Sequence, residues 1–338
     1  MKPGRLGGLV KEIFVRAGMT AEHAGTVADV LLWADLRGMG SHGIMRVPRY
    51  VELIRRGDLN VVPKMKSITE TAACTLFDAD RAAGPVAMMH ATGLAISKAR
   101  DAGIGLALAR ATTHTAANGY YTQSAARAGM AAIAISASSP NMAYHGARAA
   151  GVSTAPLSIA VPGIGEPLAL DMGSGVVSLG KLMQHRRSGE PLAEGLALNQ
   201  DGEPTADPRA ASIPLPLGGP KGSGLAFMIE CLASLLAANP ILAEAMEGTT
   251  RGRRHYQNGA VIAIDVARFI PLDEFKKEVA RLGRAIKALP PQPGAEILLP
   301  GERGHRNAAA RKEAIEISSS VFEELQAVGR SLGVEVSP

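Results

Sequence analysis

Apolar residues recur at helical spacing at both ends of this chain and alternate at strand spacing through its middle. That layout restricts the fold to a mixed α/β architecture whose helical part is drawn from both termini. Leu6, Val10, Ile13, Phe14 and Ala17 share one helical face. Thr20 is placed to cap a second helix that buries Ala24, Val27, Ala28, Leu31 and Leu32 and stops at Gly38. Pro48 suits the first turn of a third helix ending near Gly57, and a fourth follows Gly84-Pro85 until Gly103 breaks it. From there Ile104, Leu106 and Leu108 alternate as in a strand, and residues 131–136, 157–161, 168–171 and 261–265 read likewise. Residues 120–128, 174–187 and 225–238 read as helices within this middle section. Phe275, Val279, Leu282 and Ile286 return to helical spacing, and Ser320-Val321-Phe322-Glu323 has the form of a capping box for the last helix. The expected division is therefore a helical part from residues 1–103 and 270–338, and a strand-rich part from residues 104–269.

The interior of such a chain must be built from small aliphatic groups, because aromatic residues make up only 4% of it and alanine and glycine are abundant. The 46% hydrophobic content over 338 residues is globular rather than disordered. The formal charge of +5 would suit nucleic acid, but the arginines are dispersed and little aromatic residue is interleaved for base stacking. The densest basic cluster spans residues 251–255, where Arg251, Arg253 and Arg254 could meet a 2′-phosphate or form a solvated loop. Cys74 and Cys231 are too few for a disulfide scaffold or a cysteine zinc site. The eight histidines form no H-x-x-x-H pair, so no metal is expected. Neither a signal peptide nor a membrane-length apolar run is evident, and the expected location is the cytoplasm.

The chemistry concentrates in Gly40-Ser41-His42-Gly43-Ile44-Met45-Arg46. Flanking glycines let an imidazole project from a tight turn, where it can exchange a proton near neutral pH. An arginine four residues on offers a planar fork for a carboxylate. Taken alone, such a histidine is more often a turn or surface residue than a catalyst. The one Gly-x-Gly-x-x-Gly spacing in the chain, Gly38 to Gly43, follows a helix rather than a strand, so the standard Rossmann fingerprint is absent. Leu217-Gly218-Gly219-Pro220-Lys221-Gly222-Ser223-Gly224 precedes a helix and combines exposed amides with one ammonium, which suits a phosphate as well as it suits a flexible loop. Asp171, followed by small residues opening a helix, fits either an anion-and-ribose site or a plain helix cap.

The run from Ala34-Asp35-Leu36-Arg37-Gly38 through Ser41-His42-Gly43 to Arg46 and Pro48-Arg49-Tyr50 resembles the malate/L-lactate dehydrogenase family of the second type. Further motifs in the family's order are Thr113-His114, Ser136-Ala137-Ser138-Ser139-Pro140, Ser153-Thr154-Ala155-Pro156-Leu157, Leu170 to Lys181, Gly218 to Gly224, and Pro300-Gly301-Glu302-Arg303. Departures are Gly40 before the serine, Thr115 and Ala116 after the second histidine, Ala155 for an asparagine, and Gly173 and Gly175 for Ala and Ser.

The resemblance implies an α/β, non-Rossmann nicotinamide-binding fold with the cofactor in the middle segment, and a homodimer with its active site near the subunit interface. It implies NAD or NADP as cofactor and a small carboxylate as substrate: a 2-hydroxy or 2-oxo acid, or a cyclic imino acid such as piperideine- or pyrroline-2-carboxylate. His42 and His114 are then the candidates for proton transfer, not ranked by the sequence. Ser41 and Arg46 would hold the substrate. Ser138, Asp171, Met172, Gly173, Ser174, Lys221, Gly222, Gly301, Glu302 and Arg303 would line the cofactor, although Glu302 could instead hold a basic residue. A relative that binds cofactor without catalysis is the alternative that the altered motifs raise.

Overall fold

A computed structural model describes residues 1–250 and 256–337; the basic cluster at Arg251, Arg253 and Arg254 lies outside the described residues. Within them, a central sheet runs in the order β1 (Lys66–Glu70), β2 (Cys74–Asp78), β3 (Ile104–Thr112), β12 (Gln257–Asp265), β4 (Met130–Ala137), β7 (Leu157–Val161) and β8 (Leu168–Met172). Only β2 and β3 pair in parallel; the other neighbours are antiparallel. A doubly wound Rossmann sheet is mostly parallel, so this topology is of another kind. Two short ladders flank it, β5 (Met142–Ala143) with β6 (Ala150–Val152), and β9 (Ala197–Leu198) between β10 (Pro204–Thr205) and β11 (Ile213–Pro214). The helices are α1 (Pro3–Arg16), α2 (Ala21–Leu36), α3 (Val47–Arg55), α4 (Gly84–Ala102), α5 (Asn118–Arg127), α6 (Leu179–Ser188), α7 (Pro220–Glu230), α8 (Leu242–Met246), α9 (Leu272–Lys287), α10 (Glu302–Ala310) and α11 (Ser319–Ser331).

The alternation in β3 sorts the two faces of the sheet. Ala107 and Ala109 point toward α4, whose Ala87, Ala91, Ala95 and Ala99 repeat every four residues and meet Ala132, Ala134 and Ala263 in the same core. Leu108, Ile135 and Ala260 point the other way, to Ala226 and Ile229 of α7 and to Ala233 in the π-helical turn Cys231–Leu235. Alanine on both sides lets α4 lie very close to β3: a β-carbon at Gly105 would come within 2.1 Å of the Ala95 carbonyl oxygen. The low aromatic content thus has a geometric counterpart in a thin helix–sheet interface.

Several boundaries match the sequence reading. Thr20 caps α2 by accepting the His23 amide, α4 stops where Gly103 turns left-handed at φ 85°, and β7 spans the expected residues. Others move. Residues 66–78, inside the terminal segment expected to be helical, form β1 and β2 and extend the sheet. The helix expected over 174–187 begins only at Leu179, because Ser178 caps it and Gly175 bridges to Pro216. The last helix is capped by Ser318, which accepts the Val321 amide, rather than by Ser320. No helix among the described residues is long and apolar enough to cross a membrane.

Gly105→Ala should therefore destabilise the protein by about 1–3 kcal/mol, the usual range for overpacking against atoms that cannot yield. Thermal denaturation beside Gly93→Ala, which meets open space on the facing helix α4, checks this; equal midpoints would contradict it.

Candidate active site

Two single 3₁₀ turns, Gly40–His42 and Ile44–Arg46, join α2 to α3. The Asp35 carboxylate at the end of α2 accepts the Ile44 amide at 2.7 Å. It lies so close to Gly43 that a β-carbon there would approach its Oδ1 to 2.0 Å, so only glycine fits. Burial pushes the Asp35 carboxyl up to about 6, against the amide hydrogen bond and the nearby Arg311. On its other side the turn meets α6, where a β-carbon at Gly180 would fall 2.1 Å from Ser41 Cβ. Arg46 Nε donates to the Ser41 carbonyl at 2.6 Å, and Ser41 Oγ sits 3.0 Å from His42 Nδ1.

His114 follows β3 and stacks beside His42, with ring centroids 5.7 Å apart and planes inclined by 22°. Its backbone packs on the start of α4, where a β-carbon at Gly84 would meet its carbonyl oxygen at 2.1 Å. The Tyr50 hydroxyl on α3 lies 2.8 Å from His114 Nδ1 and 2.9 Å from the His114 carbonyl oxygen. Burial, helped by the Arg46 cation, lowers His42 to about 4. Burial, then Arg46 and then His42, holds His114 well below its ordinary value. Both imidazoles are therefore neutral at pH 7 beside one guanidinium.

This pair separates the cavities of the site. His42 lines a cavity of about 900 Å³ with Ser41, Asp171, Gly173, Ser178 and Lys181, and a cleft of about 150 Å³ with Asn118, Thr154, Asp171, Met172 and Gly173. His114 lines a third, of about 250 Å³, with Arg46, Arg49, Ser138, Asn141 and Gln257. The structure thus brings together Ser41, His42, Arg46, His114, Ser138, Asp171, Met172 and Gly173.

Asp171 caps a helix, but not the one that follows it: its Oδ2 accepts the Gly119 amide of α5 at 2.8 Å. Burial pushes its carboxyl up to about 6. Ser174 lies behind this wall, where its carbonyl accepts the Leu217 amide at 2.9 Å. Ser174 Oγ is buried and has no hydrogen-bond partner among the described residues. A β-carbon at Gly222 would meet the Ser174 carbonyl at 2.4 Å, so the start of α7, with Lys221 exposed beside it, sits directly on the Ser174 segment. Hydroxyls, a carboxyl, the Lys181 ammonium and glycine backbone along the large cleft fit a dinucleotide, whereas Ser174, Lys221 and Gly222 line none of the three cavities.

Gly301, Glu302 and Arg303 line none of these cavities. Glu302 bonds to Lys287 at 2.5 Å and Arg306 at 2.6 Å and accepts the Leu299 amide, which brings its carboxyl down to about 2. It holds basic residues, the second of the two roles open to it. The turn before it packs on β8, with the Ala169 amide bonded to the Pro300 carbonyl at 3.2 Å. Sequence reasoning passed over Tyr50, Arg49 and Gln257; the first two follow Pro48 on a short helix, and their spacing from Arg46 was the available signal. Ala116 has φ 55°, a left-handed conformation that explains why the family pattern carries glycine there.

A profile of the malate/L-lactate dehydrogenase family matches residues 1–326. L-sulfolactate dehydrogenase of Methanocaldococcus jannaschii is 34% identical, over 99% of this chain and 98% of its own. The solved structure of that enzyme superimposes with a TM-score of 0.89. Ureidoglycolate dehydrogenase (NAD(+)) of Escherichia coli is 33% identical over 94% of this chain and 92% of its own. The structure of malate dehydrogenase from Entamoeba histolytica is 25% identical, covers 100% of this chain and 99% of its own, and gives a TM-score of 0.95. The chain belongs to the malate/L-lactate dehydrogenase family. It is an oxidoreductase with the α/β fold of these enzymes, and dehydrogenases of this kind use a nicotinamide cofactor.

A buried neutral histidine costs stability when acid must charge it. With His42 lowered to about 4 from an unfolded value near 6.5, its contribution is fully present above pH 6.5 and is lost progressively down to pH 4. His42→Gln should therefore lose about 2 kcal/mol less than the wild type when pH falls from 7 to 4.5. Urea unfolding at the two pH values reads this difference; equal losses would contradict the buried, neutral state.

Proposed function

We propose that the protein interconverts a small 2-hydroxy acid and its 2-oxo acid, with NAD or NADP as the hydride partner. The observation that supports this most is the Arg46 guanidinium lying beside two neutral, partly buried imidazoles. Arg46 is oriented by the Ser41 carbonyl and takes the substrate carboxylate as a planar fork. A carboxylate there fixes the C2 carbon next to His114. In the oxidising direction His114 accepts the proton of the C2 hydroxyl; in the reducing direction its imidazolium returns one. His42, held by Ser41, forms the wall between substrate and cofactor.

A bound nicotinamide would supply or accept the hydride at C2. Ser138, Asp171, Met172 and Gly173 would hold it, backed by Ser174, Lys221 and Gly222. Gly301, Glu302 and Arg303 would act through β8, which they brace at Ala169, two residues before Asp171. The ureidoglycolate relative is an NAD(+) enzyme, which favours NAD over NADP. Residues 1–103 and 270–338 would form the substrate and dimer part, and residues 104–269 the cofactor part of a cytoplasmic homodimer.

The third cavity carries a second guanidinium, Arg49, beside Ser139, Asn141 and Gln257. Arg49 also pairs with Glu52. A substrate with a second anionic group, as in malate or sulfolactate, matches this lining better than a cyclic imino acid does.

His114→Ala should lower kcat for hydroxy-acid oxidation by about 10²–10⁴-fold while cofactor affinity is kept. Arg46→Ala should lower kcat/KM by roughly 10–100-fold, the value of a charged hydrogen bond of about 1.5–3 kcal/mol. Steady-state kinetics with cofactor binding by fluorescence test both; full activity of the His114 variant would sink the assignment. Because His114 is held below its ordinary value, oxidation should be flat from neutral pH upward and fall only below about pH 6.5. An acid limb centred above pH 7 would contradict it.

A further inference from the structure

Tyr50 reaches the centre of the site with nothing in the reaction scheme assigned to it. It is fully buried on α3, and its ring packs against Phe14 and edge-on to His114. Among the described residues its hydroxyl has two hydrogen-bond partners, both on His114: Nδ1 at 2.8 Å and the carbonyl oxygen at 2.9 Å.

We propose that Tyr50 is a positioning residue that fixes which nitrogen of His114 carries the proton, leaving Nε2 as the acceptor. A phenol has one proton to donate, and a carbonyl oxygen can only accept. The Tyr50 O–H therefore goes to the carbonyl. Were it turned to Nδ1 instead, two oxygens 2.9 Å apart would face each other through lone pairs in a buried site. With the O–H so committed, the phenol oxygen presents a lone pair to Nδ1, and Nδ1 must carry the hydrogen. A neutral imidazole has one N–H, so Nε2 is left bare. The desolvated environment and the Arg46 cation keep the ring neutral, so the tautomer is the state that meets the substrate. The geometry around His42 sets no such preference, because Ser41 Oγ at 3.0 Å can donate or accept. This asymmetry also ranks the two histidines, in favour of His114 as the proton acceptor.

The inference rests on the reading of His114 as the group that takes the hydroxyl proton: the substrate O–H bond breaks and an Nε2–H bond forms. It can nonetheless be tested apart from that reading, on the cofactor-free full-length chain. The imidazole ¹⁵N signals of His114, assigned by their loss in His114→Gln, report which nitrogen is protonated. The wild type should show a protonated Nδ1 and a bare Nε2. Tyr50→Phe, which removes only the hydroxyl, should move the proton toward Nε2. The same variant should oxidise the hydroxy acid at least about tenfold more slowly, with cofactor affinity kept and the chain still folded at the assay temperature, since a histidine in the wrong tautomer is a poor base. A wild-type His114 protonated at Nε2, or a tautomer unchanged in Tyr50→Phe, would overturn the inference. A tautomer that moves while His114→Ala remains active would uphold the role of Tyr50 and reject the proton-acceptor reading alone.

Discussion

The Asp35 carboxylate occupies the space that any side chain at Gly43 would need, and it takes up the Ile44 amide that the two 3₁₀ turns leave over. Its burial keeps a carboxyl near pH 6 in a place where charge is costly. In return the turn has one shape. Ser41 is carried onto Gly180, His42 is held at its Nδ1, and Arg46 folds back onto the Ser41 carbonyl. The glycines of the motif follow from close contacts rather than from a need for flexibility: position 43 is excluded by Asp35, position 180 by Ser41, and position 84 by the carbonyl of His114. Each contact joins a different element, so α2, α4 and α6 all bear on the placement of two imidazoles.

The electrostatics follow from that placement. One guanidinium and two stacked rings share a partly buried volume, and desolvation, with the charge of Arg46 second, keeps protons off both histidines. Such a site is short of one negative charge. A carboxylate arriving at Arg46 offsets its field, which raises the proton affinity of the imidazoles at the moment a substrate hydroxyl is present. The substrate would thus help to make its own base stronger, an effect that an uncharged ligand could not produce.

Much of this was legible in the residues. The Ser-His-Gly turn, the arginine four residues later and the histidine after β3 could be named because tight turns and strand ends carry their own sequence signals. The Gly84 and Gly103 limits of α4 were equally plain. What could not be read was distance. Asp171 looks like a local cap, yet it caps α5, fifty-odd positions earlier in the chain. Glu302 looks like a ribose ligand or an ion-pair partner, and only its spatial neighbours Lys287 and Arg306 decide. The strands over 66–78 escaped notice because β1 is exposed along its whole length and shows no apolar alternation. Tyr50 lies within the motif itself, but its bond to His114 spans 64 positions and has no local signature.

The central claim is that hydride leaves C2 of a small hydroxy acid held by Arg46 beside His114. Deuterium at C2 of malate or sulfolactate tests it most directly, by mass analysis of the nicotinamide after a single turnover with NAD. The account predicts that the label moves to the reduced cofactor while the matching 2-oxo acid forms, and that Arg46→Ala suppresses both together. Cofactor that binds but gains no label from any small 2-hydroxy acid would contradict it.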